Sequence, residues 1–288
     1  MKCRHCQSEL TLPLVDLGSA PPSNAYLTPQ TLRAPEKYFP LRVLVCTRCW
    51  LAQTEDYTQA KELFSADYAY FSSTSTGWLA HAARYTNQMT QKLGLTKDSL
   101  VIEVASNDGY LLKNFVAAGI PCLGIEPTAS TAAVAERLGI PVMREFFGEH
   151  PGKVLAAEGN QADLIVGNNV YAHVPDINDF TRGLKAALKP HGTITLEFPH
   201  LLQLLEHTQF DTIYHEHFSY LSLYTTTRVF QTADLRVYDI EILPTHGGSL
   251  RIYGCHAQDR RQTSEAVGAM LAEEKQLGLQ TEKAYQVF

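Results

Sequence analysis

The sequence predicts an α/β protein: a mostly parallel sheet with helices on both faces, preceded by a small cysteine-rich module. Three observations predict it. From residue 100 onward, short apolar runs alternate with segments of helical period. The first run, 100–105, enters a polar loop with one glycine, Ser106-Asn107-Asp108-Gly109, and a helical pattern begins at Tyr110. Such a strand, tight loop and helix start is how doubly wound sheets build a ligand site at the carboxyl edge of a strand. Ahead of all this, Cys3-Arg-His-Cys6 and Cys46-Thr-Arg-Cys49 form two C-x-x-C knuckles.

Each knuckle sets two thiolates on a tight turn, so four sulfurs can surround one tetrahedral ion, and zinc suits four thiolates best. Cys3, Cys6, Cys46 and Cys49 are therefore the expected ligands of a structural zinc. A closed four-thiolate shell has no open position, which excludes a catalytic role for that ion. His5 sits inside the first knuckle and reads as a bystander. A strand is expected at Phe39–Val45 between the knuckles. Cys122 and Cys255 lie in apolar strand contexts and read as packing residues.

The stretch 63–75 is rich in aromatic and hydroxyl side chains. Ser75 or Thr74 suits the N-cap of a helix starting near Thr76. The stretch is either a capped linker or a lid whose tyrosines, Tyr68 and Tyr70, reach a ligand. Beyond it, strands are expected at 100–105, 122–126, 141–146, 164–168 and 193–198, and helices at 110–118, 131–138 and 179–188. Strands at 237–243 and 250–256 read as an antiparallel hairpin closing the sheet, followed by a helix at 262–286. The resulting division is 1–66 for the zinc module, 67–257 for the sheet domain and 258–288 for a helical tail.

The carboxyl ends of the strands carry the chemistry. Glu103 and Asp108 flank the first loop, and Gly109 lets backbone approach a ligand. No Gly-Lys-Ser/Thr follows, so the loop is not built for phosphate. Glu126, stopped by Pro127, ends the second strand where a carboxylate can accept both hydroxyls of a ribose. Phe146 and Phe147 follow the third strand, where their rings can flank an adenine. Asn168 and Asn169 open a polar loop running to His173 after the fourth. Acidic strand ends without a phosphate cradle favour a ribose-bearing ligand with a positive centre, S-adenosylmethionine rather than NAD.

The chain has 288 residues, 45% hydrophobic and 19% charged, with a formal net charge of -6, so a nucleic-acid backbone is not an obvious partner. No apolar run reaches the roughly 18 residues of a membrane span, and the amino end has no signal-like apolar stretch. A cytoplasmic, reducing setting and a monomer or weak dimer are expected.

Glu-Val-Ala-Ser-Asn-Asp-Gly, then Gly-Ile-Glu-Pro, then Asn-Asn-Val-Tyr-Ala-His-Val-Pro-Asp, in that order, resemble the class I S-adenosylmethionine-dependent methyltransferases. With the four-cysteine module and Tyr214-His-Glu-His-Phe-Ser-Tyr220, essentially the whole chain is similar to the deoxysugar C-methyltransferases. The resemblance implies a Rossmann-like sheet of seven strands, S-adenosylmethionine as cofactor beside the structural zinc, and a nucleotide-linked (dTDP) 4-keto-6-deoxy sugar as substrate. Glu103, Ser106, Asn107, Asp108, Gly109, Glu126, Pro127, Phe146, Phe147, Asn168 and Asn169 are the residues expected to hold the cofactor. The resemblance makes His217 the base that removes a proton beside the ketone, with Glu216 orienting it or touching the sugar. Tyr214 and His173 then position the keto sugar, and Tyr68, or else Tyr70, supplies a tyrosine from before the core. His246-Gly247-Gly248-Ser249-Leu-Arg251 is expected to face the substrate, because two glycines permit close approach and an arginine suits phosphate. The family carries a further carboxyl-terminal α/β domain, which this chain is expected to lack.

In an extended segment His215 and His217 share one face, and Tyr214 and Glu216 the other, so the four act together only if the segment bends. Three other readings stay open at this level. They are methyl transfer to oxygen or nitrogen of another small molecule, a catalytic zinc on His215 and His217, and a non-catalytic zinc-ribbon interaction protein.

Overall fold

The computed structural model describes residues 1–57, 63, 70–286 and 288. A small antiparallel sheet at the amino end contains β1 (Leu12–Ala20), β2 (Phe39–Val45) and β3 (Ala52–Thr54). The larger sheet follows, with β4 (Val101–Val104), β5 (Cys122–Ile125), β6 (Val142–Met143), β7 (Ala162–Asn168) and β8 (Leu188–Pro199) all parallel. β9 (Ser219–Tyr220) then returns to the small sheet and pairs with β3. β10 (Leu235–Leu243) and β11 (Ser249–His256) close the large sheet as an antiparallel hairpin, giving the order β10-β11-β8-β7-β4-β5-β6. The seven-stranded, mostly parallel sheet is the expected one, as is the strand Phe39–Val45. The reversal on either side of β4 places a crevice at its carboxyl end.

The helices with described bounds are α1 (Thr76–Leu93), α2 (Leu112–Ala117), α3 (Ala129–Arg137), α4 (Glu149–Ala157), α5 (Ile177–Ala187), α6 (Leu201–Glu206), α7 (Leu223–Thr232), α8 (Glu265–Gln276) and α9 (Glu282–Gln286). Ser75 caps α1 by accepting from the Trp78 amide, and left-handed Gly94 ends it. Along β7, Leu164 and Val166 pack on one face with Tyr85 and Met89 of α1 and Phe115 of α2. Ile165 points to the other, with Phe180 and Leu184 of α5. A strand buried on both sides reads as a continuous apolar run, which is why period-2 alternation is absent here.

The tail differs from expectation. Instead of one helix over 262–286, α8 and α9 are separated by a turn in which Gly278 is left-handed, with φ +83°. Glu274 of α8 is fully buried and accepts from the Leu223 and Tyr224 amides at the start of α7 (2.6 and 2.9 Å) and from His200 Nε2 (2.7 Å). It therefore satisfies amide groups that a helix start leaves unpaired. Glu274→Ala is expected to destabilise the protein by about 3 kcal/mol, because several buried donors lose their acceptor at once. Denaturant unfolding of the two proteins measures this, and an unchanged midpoint would mean the tail is not tied to the core through this group.

Candidate active site

A cavity of about 740 Å³ opens beyond the carboxyl ends of β4, β5 and β7. Glu126, just past β5, is buried on its wall, its Oε2 accepting from the Asn107 amide (3.0 Å) and its Oε1 from the Thr128 amide (2.9 Å). Two amides fix the carboxylate and leave lone pairs for a diol. Ala105 and Asn107 both take left-handed backbone, φ 56° and 49°, so the loop turns sharply without glycine at either place. Asn107 also ties down the stretch before α1: its Oδ1 accepts from the Ser72 amide and its Nδ2 donates to Tyr70 O. Asp108 accepts from the Ser73 amide. Tyr70 and Ser72 line the cavity, while Tyr68 lies outside the described residues.

Pro127, Phe146, Phe147, Asn168 and Asn169 line the same space, and Phe147 packs edge-on against Phe180 at 5.3 Å. No lysine or arginine does so among the described residues. Asn169 Oδ1 is buried with no hydrogen-bond partner among the described residues. A buried acceptor without a partner, a fixed carboxylate and an apolar wall fit an adenosyl group whose sulfur is positive, and S-adenosylmethionine fits this site on those grounds.

Four residues expected to hold the cofactor do not line the cavity: Glu103, Ser106, Asp108 and Gly109. Burial pushes the Glu103 carboxyl well above its usual range, which favours its neutral form. The expectation that Gly109 admits a ligand is corrected: a Cβ there would meet Ile140 Cδ1 at 2.5 Å and Ala135 Cβ at 3.2 Å. Its missing side chain makes room for the packing of α3.

Facing the carboxylate wall is the Tyr214-His-Glu-His217 segment. It bends, the His217 amide donating to Tyr214 O at 3.0 Å, so Tyr214 and His217 meet instead of diverging. His217 Nδ1–H donates to Thr212 O (2.8 Å), which leaves Nε2 as acceptor for the Tyr214 hydroxyl (2.8 Å). Burial, reinforced by neighbouring His173, pushes the His217 pKa well below 6.5. Burial also lowers His173, whose Nδ1–H donates to Glu216 O at 2.9 Å. Tyr214, Glu216, His173 and His246 line the cavity, whereas His217 stands one hydrogen bond behind Tyr214. His215 turns away and donates to Phe39 O and Pro40 O in the small sheet.

Arg251 does not face the cavity. It is fully buried, donating to Glu197 Oε2 and Glu241 Oε2 at 2.7 Å each. Burial raises the Glu197 carboxyl, but His81 and Arg251 outweigh that and hold it below its usual value. The arginine expected for a phosphate is therefore engaged by two carboxylates, and Glu197 Oε1 accepts from Thr245 in the turn that carries His246. Gly247, Gly248 and Ser249 also stay off the cavity. Side chains at Gly247 and Gly248 would strike Gln209 and Gln203, so these glycines admit neighbouring chain, not substrate. A second cavity of about 530 Å³ adjoins the first, sharing Tyr70, Trp78 and His246, and Arg84 and Arg251 stand in its wall.

The four knuckle sulfurs lie within 4.8 Å of one another, the only such His/Cys/Asp/Glu group among the described residues; His215 and His217 point apart, the first to the small sheet and the second to Tyr214 and Thr212, instead of converging on one ion. Each knuckle closes with a left-handed residue, Gln7 (φ 61°) after the first and Trp50 (φ 62°) after the second. Sulfur separations of 3.5 Å (Cys3–Cys49) and 3.4 Å (Cys6–Cys46) fit a tetrahedral zinc, whose thiolates stand about 3.8 Å apart. Ser23, Asn24, Trp78, Tyr110, Thr128, Asp176 and Asp179 also line the main cavity, and sequence reasoning missed them. Asp176, as the N-cap of α5, carried a readable signal; Ser23 and Asn24, in a turn of the zinc module, carried none.

A zinc binding domain model matches residues 3–64, a methyltransferase domain model 78–240, and a C-methyltransferase C-terminal domain model 244–288. The last match corrects the expectation that this domain is lacking: it is represented from Pro244 onward. C-methyltransferase NovU of Streptomyces niveus is 35% identical over 287 residues, covering 100% of this chain and 68% of the relative. Among solved structures, magnesium protoporphyrin IX methyltransferase of Synechocystis with bound SAH aligns at 13% identity and a TM-score of 0.49, over 62% of this chain and 84% of that one. A Clostridium acetobutylicum S-adenosylmethionine-dependent methyltransferase aligns at 9% identity and a TM-score of 0.48, over 62% and 92%. With a cavity suited to a sulfonium donor facing a tyrosine–histidine pair, the three domain models matching along its length and 35% identity to NovU show that the chain belongs to the S-adenosylmethionine-dependent C-methyltransferases that carry an amino-terminal zinc-binding domain.

Proposed function

We propose that the chain methylates a ring carbon of a nucleotide-linked 4-keto-6-deoxy sugar, a dTDP sugar being the first candidate, through base-catalysed enolisation. One observation carries this reading: Tyr214, backed by His217 Nε2 at 2.8 Å, lines the same cavity as the donor-side carboxylate Glu126. Glu126, Asn107, Asn169 and Phe147 would hold S-adenosylmethionine, which supplies an electrophilic methyl group on sulfur. The sugar lies between that wall and Tyr214. The proton beside the ketone passes to the Tyr214 oxygen as the phenol proton passes to His217 Nε2, so no free phenolate has to form. Burial raises the Tyr214 pKa, which makes this concerted route the easier one. His217 is thus the base, acting through a hydroxyl. Tyr70 offers a donor to the enolate oxygen, and Glu216 and His173 orient the sugar. The adjoining cavity with Arg84 in its wall supports a phosphate-bearing extension of the substrate.

Labelled S-adenosylmethionine with a panel of dTDP-4-keto-6-deoxy sugars tests the reading. Label on carbon, together with solvent deuterium exchange at that carbon, is expected; label on oxygen without exchange would replace it with an O-methyltransferase. Glu126→Ala should weaken S-adenosylhomocysteine binding by about 10- to 100-fold, the worth of hydrogen bonds to a charged acceptor, as read by calorimetry. Unchanged affinity would place the ribose elsewhere.

A further inference from the structure

Glu216 is only 2% exposed, yet the groups that hold its carboxylate come from far away in the chain. Asn24 Nδ2 donates to both oxygens, at 2.7 Å to Oε1 and 2.9 Å to Oε2, and Ser23 Oγ donates to Oε1 at 2.9 Å. Both residues sit in a turn that leaves β1 of the zinc module, 192 positions before Glu216 in the case of Asn24. Pro21 and Pro22 stiffen the approach, and the Ala25 amide closes the turn on Pro22 O at 3.1 Å. Ser23 and Asn24 line the cavity beside Glu216, Tyr214 and His173. On the other side of the same residue, His173 fixes the Glu216 backbone carbonyl. The carboxylate is thus gripped from the zinc module and its backbone from the loop after β7.

We propose that Asn24, assisted by Ser23, is a positioning residue for methyl transfer: the zinc module reaches into the active cavity and sets the orientation of the Glu216 carboxylate toward the acceptor. The proposal rests on the reading that Glu216 contacts the sugar. A carboxylate gripped through both oxygens keeps one rotamer and presents fixed lone pairs, whereas a free one samples several and spends part of its time turned from the substrate. The module's contribution is then orientation of a group on the sheet domain, in addition to its own folding.

The test uses the zinc-loaded full chain, labelled S-adenosylmethionine and a dTDP-4-keto-6-deoxy sugar. Asn24→Ala is expected to lower kcat by about 10- to 100-fold, the loss associated with hydrogen bonds to a charged group. Asn24→Asp is expected to fall further, since a second carboxylate then meets Glu216. Zinc content and S-adenosylhomocysteine affinity should stay at the parent values in both. The decisive measurement is a double-mutant cycle: Asn24→Ala combined with Glu216→Gln should turn over no more slowly than Glu216→Gln alone, because a positioning residue for that carboxylate has nothing further to lose once the carboxylate is gone. Additive losses would overturn the proposal, as would a drop in donor affinity or zinc content that accounts for the loss. A neutral Asn24→Ala beside a strongly impaired Glu216→Gln would overturn the positioning role alone. A neutral Glu216→Gln would remove the role of Glu216 itself, and the positioning proposal with it.

Discussion

His217→Asn is expected to cut kcat for methyl transfer by about 10²- to 10⁴-fold, the usual worth of a positioned acid–base group, with S-adenosylhomocysteine affinity nearly unchanged. Donor affinity is spared because the residue stands behind Tyr214 and off the cavity wall. Tyr214→Phe should lose a comparable factor, since it removes the hydroxyl through which, on the proposed route, the imidazole reaches the sugar. Solvent deuterium exchange into the sugar should fall in parallel with methylation in both variants, which separates loss of enolisation from loss of methyl transfer. The pH profile adds a directional check. Burial lowers the His217 and His173 pKa values from the ordinary 6.5, so each ring takes up its proton at a lower pH than a free imidazole does. The acid limb of kcat/KM is therefore expected below pH 6.5. The same linkage makes these rings cost stability in acid: the unfolded chain takes up their protons first, so stability is full above 6.5 and falls as pH drops toward the folded values. An acid limb above 6.5, or full turnover by His217→Asn, would remove the histidine from the proton path.

Much of this arrangement was legible in the sequence because it rests on local rules. Alternating apolar runs and helical segments give the parallel sheet, Ser75 gives the start of α1, and Glu126-Pro127 marks a strand end with a carboxylate. What resisted reading depends on which parts of the chain meet in space. The Tyr214–His217 pair needs a bend that period-2 reasoning cannot supply, and Arg251 looks like a phosphate ligand until Glu197 and Glu241 arrive from β8 and β10. Gly109, Gly247 and Gly248 illustrate the same limit. Each has the positive φ that favours glycine, but the close approach it permits is to a neighbouring side chain. Ser23 and Asn24 look like ordinary turn residues, and only the fold brings them to Glu216.

Removing the metal is expected to abolish methyl transfer and to weaken donor binding as well. Structural zinc in small modules carries roughly 10–16 kcal/mol of apparent binding free energy, comparable to or larger than the 5–15 kcal/mol that holds a whole domain folded. Without it the thiolates Cys3, Cys6, Cys46 and Cys49, packed within 4.8 Å, repel one another or take up protons, and the knuckles lose their reason to close. The loss propagates because the first knuckle also braces the proposed donor site. Arg4 donates to Pro175 O (3.0 Å), Asn178 Nδ2 donates to His5 O (2.8 Å), and His5 Nδ1 pairs with Asn178 Oδ1 (2.7 Å). Pro175 and Asp176, in the loop from β7 to α5, line the cavity proposed to hold the donor, so a knuckle that opens releases one of its walls. On this account chelation to less than one zinc per chain, or Cys3→Ser, lowers S-adenosylhomocysteine affinity and turnover together and exposes the amides of β1–β3 to hydrogen exchange. A zinc-free chain that still bound the donor normally would reduce the module to a staple with no hold on the site, and the bracing by Arg4 and His5 would have to be given up.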